Sequence, residues 1–343
     1  MSQIRYDLFA DRYVVVAPDR ARRPGFLQPH TPDAYGQQTQ PCPFCEGNES
    51  LTPHEIYALR PHGGADEKGW LTRVVPNLYK ALQIEASLQH HREGSFEWQE
   101  GFGAHEIVID MPRHELRMDR WSEAEYKRWL LTLQERASDL HRDFRLVYLS
   151  IFKNHGPNAA ATQAHPHTQI IGLPTIPKAM LHRMAHHVAY YREHGRPIAE
   201  ALREEELAEE VRVVVQNARF AAIVPFGAAM PFEVWVTPKF SVASLMLLGE
   251  GEIEALCALL GELFSRLYDV LGLFDFNLSI EMAPLQKDGA SAAIYPFFDR
   301  AWRFGIRIVP RVTGIGGFEL STGMLINPVA PEHTAQLLRS AGS

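Results

Sequence analysis

A pattern that occurs twice constrains this chain most. In the first half, residues 73–77 and 106–110 read as strands, a helix starts at Ser122, and residues 147–152 read as a strand again. In the second half, residues 220–225 and 232–238 are the strands and an apolar helix spans roughly 251–271. Residues 277–281 and 304–310 are further strands. Prolines such as Pro76, Pro225, Pro238 and Pro310 close these apolar runs, as strand ends require. Ser122 and Glu125 form a capping-box pattern. Trp129, Leu130, Leu133, Ala137 and Leu140 continue that helix at helical spacing. Strand, strand, helix, strand, met twice, predicts two related α+β units joined near residues 195–215.

Other segments carry weaker patterns. Residues 13–17 form a short strand, followed by a basic turn with Arg20, Arg22 and Arg23. Residues 28–41 are a Gln- and Pro-rich loop, and residues 84–100 read as a polar loop. Residues 178–193 look helical, and the acidic run from Glu200 to Glu210 reads as a solvated helix face or a linker. With 343 residues there is room for one large or two medium domains. A net charge of −7 argues against a nucleic-acid coat or a polybasic membrane anchor. No apolar run approaches the ~20 residues of a membrane span, and the first residues lack an apolar signal core. The expected location is the cytoplasm, with neither nucleic acid nor membrane as partner. Three cysteines argue against a disulfide framework, and Cys257 reads as core.

Two motifs carry chemistry. In His165-Pro166-His167-Thr168-Gln169, proline favours an extended chain, so both imidazoles share one face. A neutral imidazole is a nucleophile or a metal ligand, while histidines at a strand start are also common surface residues. Cys42 and Cys45 can place two thiolates on one metal. The same spacing serves redox chemistry, but only where it opens a helix after a strand. A closed site needs two more ligands, for which His114 and His165 are the candidates. The small loop at residues 154–162 lets backbone N–H groups approach an anion, but it lacks a P-loop lysine. Guanidinium groups of the basic turn can bind phosphate or simply be solvated.

Read in order, Cys-Pro-Phe-Cys-x-Gly-Asn-Glu at 42–49, Asn154-x-Gly156 and His-Pro-His-x-Gln at 165–169 resemble the galactose-1-phosphate uridylyltransferases of the histidine-triad superfamily. So do Ala229-x-Pro231-Phe232-Glu233 with Pro238-Lys239, and Gly317-Phe318-Glu319 with Ile326-Asn327-Pro328. Phe152-Lys153-Asn154 and Pro231-Phe232-Glu233-Val234-Trp235 are closer to the ADP-glucose phosphorylase branch. The resemblance implies two tandem histidine-triad-like units, residues 1–195 and 196–343, each an antiparallel sheet with packed helices. It implies a nucleotidyltransferase of carbohydrate metabolism, such as galactose metabolism, moving a nucleoside monophosphate from a UDP- or ADP-sugar to a phosphorylated acceptor. A phosphorylase using inorganic phosphate, or a nucleotide-binding member without turnover, are the alternatives.

The implied roles follow. His167 is the nucleophile and Gln169 bonds a phosphate oxygen of the covalent intermediate. Cys42, Cys45, His114 and His165 hold one structural Zn2+. Arg20, Arg23, Asn77, Asn154, Thr162, Phe318 and Glu319 bind substrate. A homodimer is implied as well. Thr168 departs from the family's glycine, and residues 195–210 lack cysteine. Arg303 and Arg307 stand at and beside the place of the family's second metal, which is expected to be absent. With Gly305 between them, the two arginines could form an open cationic shelf, brace the fold, or be an ordinary edge-strand pair.

Overall fold

A computed structural model describes residues 1–22, 41–115, 117–285 and 298–342. In the first half it holds β1 (Gln3–Asp7), β2 (Arg12–Val16), β3 (Tyr57–Leu59), β4 (Thr72–Pro76), β5 (His90–Glu93), β6 (Phe96–Gln99) and β7 (Ala104–Ile109). Helix α1 (Glu123–His141), β8 (Tyr148–His155) and β9 (His167–Leu173) follow. Helices α2 (Lys178–His194) and α3 (Ile198–Glu209) lead to the second half. There β10 (Val213–Gln216), β11 (Phe220–Ile223), β12 (Val234–Pro238), α4 (Glu250–Leu271) and β13 (Phe276–Glu281) come in order. The chain closes with α5 (Phe298–Ala301), β14 (Gly305–Pro310), α6 (Gly317–Thr322), β15 (Leu325–Asn327) and α7 (Pro331–Ser340).

Ten strands form one antiparallel sheet in the order β10-β11-β12-β14-β13-β8-β9-β7-β4-β3. The two halves have the same topology. From edge to centre the first runs β3-β4-β7-β9-β8 and the second β10-β11-β12-β14-β13, with one helix before the central strand in each. The halves meet where β8 pairs with β13, Asn154 lying opposite Asn277. The α+β class and the tandem antiparallel units read from the sequence are what the fold shows.

Helices α1 and α4 cover one face. Ser122 caps α1 through the reciprocal box with Glu125, and Trp129, Leu130, Leu133 and Ala137 are buried beneath it. The apolar stripe of α4 buries Leu256, Leu260, Leu263 and Phe264 in the same core, with Cys257 among them. Such side chains each contribute about 1.5–3 kcal/mol when fully buried. On the opposite face, the second half is covered by α2, α3 and the N-terminal segment: Phe9, Met184, Ile198, Trp235 and Trp302 form one cluster. In the first half that face carries a smaller cluster, Trp70, Val75, Ile107 and Ile109, against which Phe44 packs.

Two segments depart from expectation, and one pairing had none. Residues 84–100 include the hairpin β5–β6, with Trp98 stacked on His91 across the ladder. The acidic run is helix α3 and is not simply solvated, since Glu206 and Arg203 are buried. Strand β15 adds in parallel to β2 of the β1–β2 hairpin, so both chain ends share a small sheet. Among the described residues, no helix is long and apolar enough to cross a membrane.

Candidate active site and metal centre

Strand register decides which side chains share the open face. Ile109 lies opposite His167, Ile107 opposite Gln169, and Phe152 opposite Gln169. Residues two apart on a strand share a face. His167, Gln169, Asn154 and Asn277 therefore line one side, while Thr168 and Lys153 point to the other, under α1.

At the head of β9, Cys42, Cys45, His114 and His165 bring one ligand atom each to within 4.8 Å of one another. The Cys42–Cys45 segment turns tightly: Cys45 N and Asn48 Nδ2 both donate to Cys42 O, and Gly47 takes φ +96°. Glu49 is buried and accepts from Gly47 N and Trp70 Nε1, which anchors the loop to the sheet. His165 Nε2 lies 2.8 Å from Met111 O, and that carbonyl can only accept. The Nδ1 lone pair is thereby left facing Cys45 Sγ at 3.4 Å, and His114 Nδ1 lies 3.6 Å from the same sulfur. Burial lowers the His165 pKa to about 3 and raises the Cys45 thiol to about 11, helped by Cys42. Two sulfurs and two neutral imidazole nitrogens, with Cys42 and His165 buried, His114 at the surface and one ring already oriented by a carbonyl, fit a tetrahedral metal of the Cys2His2 kind.

Two residues on, His167 Nδ1–H donates to His165 O at 2.8 Å. Its Nε2 therefore carries the free lone pair, and burial lowers the pKa, keeping the ring neutral. Phe44, from the cysteine loop, packs against the ring with centroids 5.4 Å apart. A cavity of about 180 Å³ opens beside it, lined by Asn77, Thr162, Gln163, His167 and Gln169. Gln169 Oε1 lies 3.0 Å from His105 Nε2, a contact that sequence reasoning missed. Asn154 sits at the central seam, bonded to Asn277. The site thus brings together Asn77, Thr162, His167 and Gln169 beside the Cys2His2 group. Asn154 lies on the same sheet face but is not among the residues lining this cavity, and neither are Arg20, on an exposed turn, or Phe318 and Glu319, on α6. Arg23 lies outside the described residues.

Beneath the site is a buried polar network that the sequence did not announce. Lys153 Nζ is 2.5 Å from Asp110 and 3.3 Å from His167 O. Thr168 donates to Asp110 Oδ1 and accepts from Trp129 Nε1. The threonine that replaces the family's glycine therefore faces away from the cavity and ties β9 to α1. Of the three alternatives for Arg303 and Arg307, the open cationic shelf is not what the fold holds. Both are more than nine-tenths buried; Arg303 is 2.6 Å from Glu200, and Arg307 pairs with Glu233 and lies 3.8 Å from Glu281.

Comparison with known proteins places this geometry. Residues 1–177 match the family described as galactose-1-phosphate uridyl transferase, N-terminal domain, and residues 183–337 match its C-terminal domain. The chain is 28% identical to ADP-glucose phosphorylase of Arabidopsis thaliana, over 98% of this chain and 92% of that protein. It is 26% identical to the galactose-1-phosphate uridylyltransferase of Thermotoga maritima, over 99% and 98%. The crystal structure of the Arabidopsis ADP-glucose phosphorylase with bound ADP-glucose superposes with a TM-score of 0.81 at 26% identity, covering 99% of each chain. Two matched models that together span nearly the whole sequence make this chain a member of the galactose-1-phosphate uridyl transferase family.

Proposed function

We propose that this chain is a nucleotidyltransferase that takes a nucleoside monophosphate from a nucleotide sugar onto His167 and passes it to a sugar 1-phosphate. The observation that carries this reading is the His167 ring: Nδ1–H is held by His165 O, so neutral Nε2 faces the cavity as a nucleophile. Its lone pair attacks the α-phosphorus, a P–N bond forms, and the bond to the β-phosphoryl oxygen breaks, releasing sugar 1-phosphate. An acceptor phosphate oxygen then attacks the same phosphorus and the P–N bond breaks. One difficult transfer becomes two easier ones. Gln169 and Asn154 donate to the phosphoryl oxygens, Asn77 and Thr162 hold the nucleotide, and Arg20 and Arg23 bind phosphate.

Cys42, Cys45, His114 and His165 would hold one Zn2+, whose four protein ligands leave no open position and whose role is to fix the head of β9. Units of residues 1–195 and 196–343, a cytoplasmic location and a homodimer, with Phe318 and Glu319 as substrate contacts, complete the proposal. Denaturing mass spectrometry after incubation with UDP-glucose or ADP-glucose tests it. An adduct of one nucleoside monophosphate is expected, lost on addition of a sugar 1-phosphate and absent in His167→Ala. Discharge by inorganic phosphate alone would identify a phosphorylase. Turnover in His167→Ala would end the covalent mechanism.

A further inference from the structure

We infer that Asp275 and Asn277, from the second half of the chain, are positioning residues for this transfer: they hold the 154–162 segment and orient the Asn154 amide toward the reacting phosphate. The inference rests on the proposed reaction at His167 and goes beyond it: Asp275, Asn277 and Asn154 all lie outside the cavity lining, with Asn154 and Asn277 on the sheet face that carries His167 and Gln169.

The orientation follows from a backbone group. Asn277 Nδ2 lies 3.0 Å from Ala159 O, and a carbonyl can only accept, so the amide must present its N–H side there. The same nitrogen donates to Asn154 Oδ1 at 2.9 Å. The Asn154 oxygen is thereby engaged, and its NH2 is the end left to donate. Asn154 stands on the sheet face that carries His167 and Gln169. Two N–H groups are what a phosphoryl group gathering charge on its oxygens needs, and what an unrestrained amide would offer only part of the time.

Asp275 works on the loop itself. Its Oδ2 accepts from Asn158 N at 2.7 Å, and it is buried. A Cβ on Gly156 would fall 1.9 Å from Asp275 Oδ1, and Gly156 takes φ +85°, so only glycine admits this approach. The turn then closes on itself: Ala159 N and Ala161 N both donate to Gly156 O, and Ala160 adopts φ +63°. Thr162 and Gln163, which line the cavity, leave directly from that turn. The second half thus sets the wall of a pocket whose nucleophile belongs to the first.

The test is a double-mutant cycle on the full-length protein. Single-turnover adduct formation is followed by quenched denaturing mass spectrometry, with whichever of ADP-glucose and UDP-glucose the wild type takes. Asn154→Ala is expected to slow the step by about 100-fold, as loss of one oxyanion donor does. Asn277→Ala should slow it by about 10- to 100-fold, the cost of a misplaced group. The donor KM should move by less than about 3-fold if the loss sits in the transition state. The double variant should be no slower than Asn154→Ala, because Asn277 acts through Asn154. Asn277→Asp keeps the shape but cannot donate, so it should behave as alanine does. Asp275→Asn, which keeps an acceptor, should recover most of what Asp275→Ala loses. Additive losses, or Asn277→Ala at the wild-type rate with a wild-type Tm, overturn the inference while leaving the proposed reaction intact. No adduct on the wild type would overturn both.

Discussion

The Lys153–Asp110 pair gives the sharpest test of the energetics under the site. The side chains are 1% and 0% exposed and their charged atoms are 2.5 Å apart. Lys153→Met would leave the Asp110 carboxylate buried, with the Thr168 hydroxyl as its remaining side-chain donor. Breaking a buried pair from one side costs about 3–5 kcal/mol, because the surviving charge keeps its desolvation penalty. For 343 residues at about 2.1 cal/mol/K each, the unfolding entropy is about 0.7 kcal/mol/K, so Tm should fall by about 4–7 °C. Asp110→Asn should cost a similar amount by stranding the ammonium. The double variant, Asp110→Asn with Lys153→Met, buries no charge and keeps an acceptor for Thr168. It should recover most of the loss. Calorimetry on the four proteins reads the cycle directly. A Lys153→Met protein within 1 °C of wild type, or a double variant equal to the sum of the singles, would refute the reasoning.

Three further outcomes are expected. His187 is fully buried and donates to Phe9 O, and burial lowers its pKa from 6.5 to about 4. Below pH 6.5 the unfolded chain binds a proton that the folded chain refuses, so stability falls as pH drops from 6.5 to 4, by on the order of 3 kcal/mol. His187→Gln keeps the bond to Phe9 O, and urea midpoints at pH 7, 5.5 and 4.5 should show an acid limb shallower by about one proton; an unchanged limb would count against the assignment. Elemental analysis should find one zinc per chain, and Cys42→Ser with Cys45→Ser should lose it; two zinc ions per chain, or none, would disprove the Cys2His2 site. Arg303→Ala should lower stability by about 2 kcal/mol through the lost Glu200 contact, with acceptor KM unchanged. A raised acceptor KM would instead give Arg303 a place at the substrate.

Much of this architecture could be read from one sequence because its signals are local. The capping box at Ser122, the stripe on α1 and the proline-ended strands each depend on residues within one element. The Cys2His2 group was legible because Cys42 and Cys45 stand three apart and His165 shares a motif with His167. The hairpin β5–β6 was not legible: His90–Glu93 and Phe96–Gln99 bury no face, so they show no alternation of apolar and polar residues. Lys153 and Asp110 were invisible for another reason. Lys153 is a charge inside β8 and Asp110 one just past the end of β7, and only the pairing of β8 with β9 and β9 with β7 shows that they meet. The same holds for Arg307 and Glu233, brought together by β12 and β14. His105 gave no signal, since a polar residue alternating out of a strand is ordinary until the strand is seen beside Gln169.

The matched strand order of the two halves has a bearing on stoichiometry. A sheet built twice offers two equivalent places for a nucleophile, but in the second half that face is packed with Phe9, Trp235 and Trp302. The chain is a pair of twins with divided labour: one keeps the reacting group, and the other has closed its own door and lends struts. A pre-steady-state burst should therefore count polypeptides, one nucleotide for each, whatever the number of chains in the assembly. The halves are also unequal under mutation. Residues on the closed face of the second half answer to packing, so they are free to change in volume-conserving sets, whereas its central strand is held to the chemistry of its sibling.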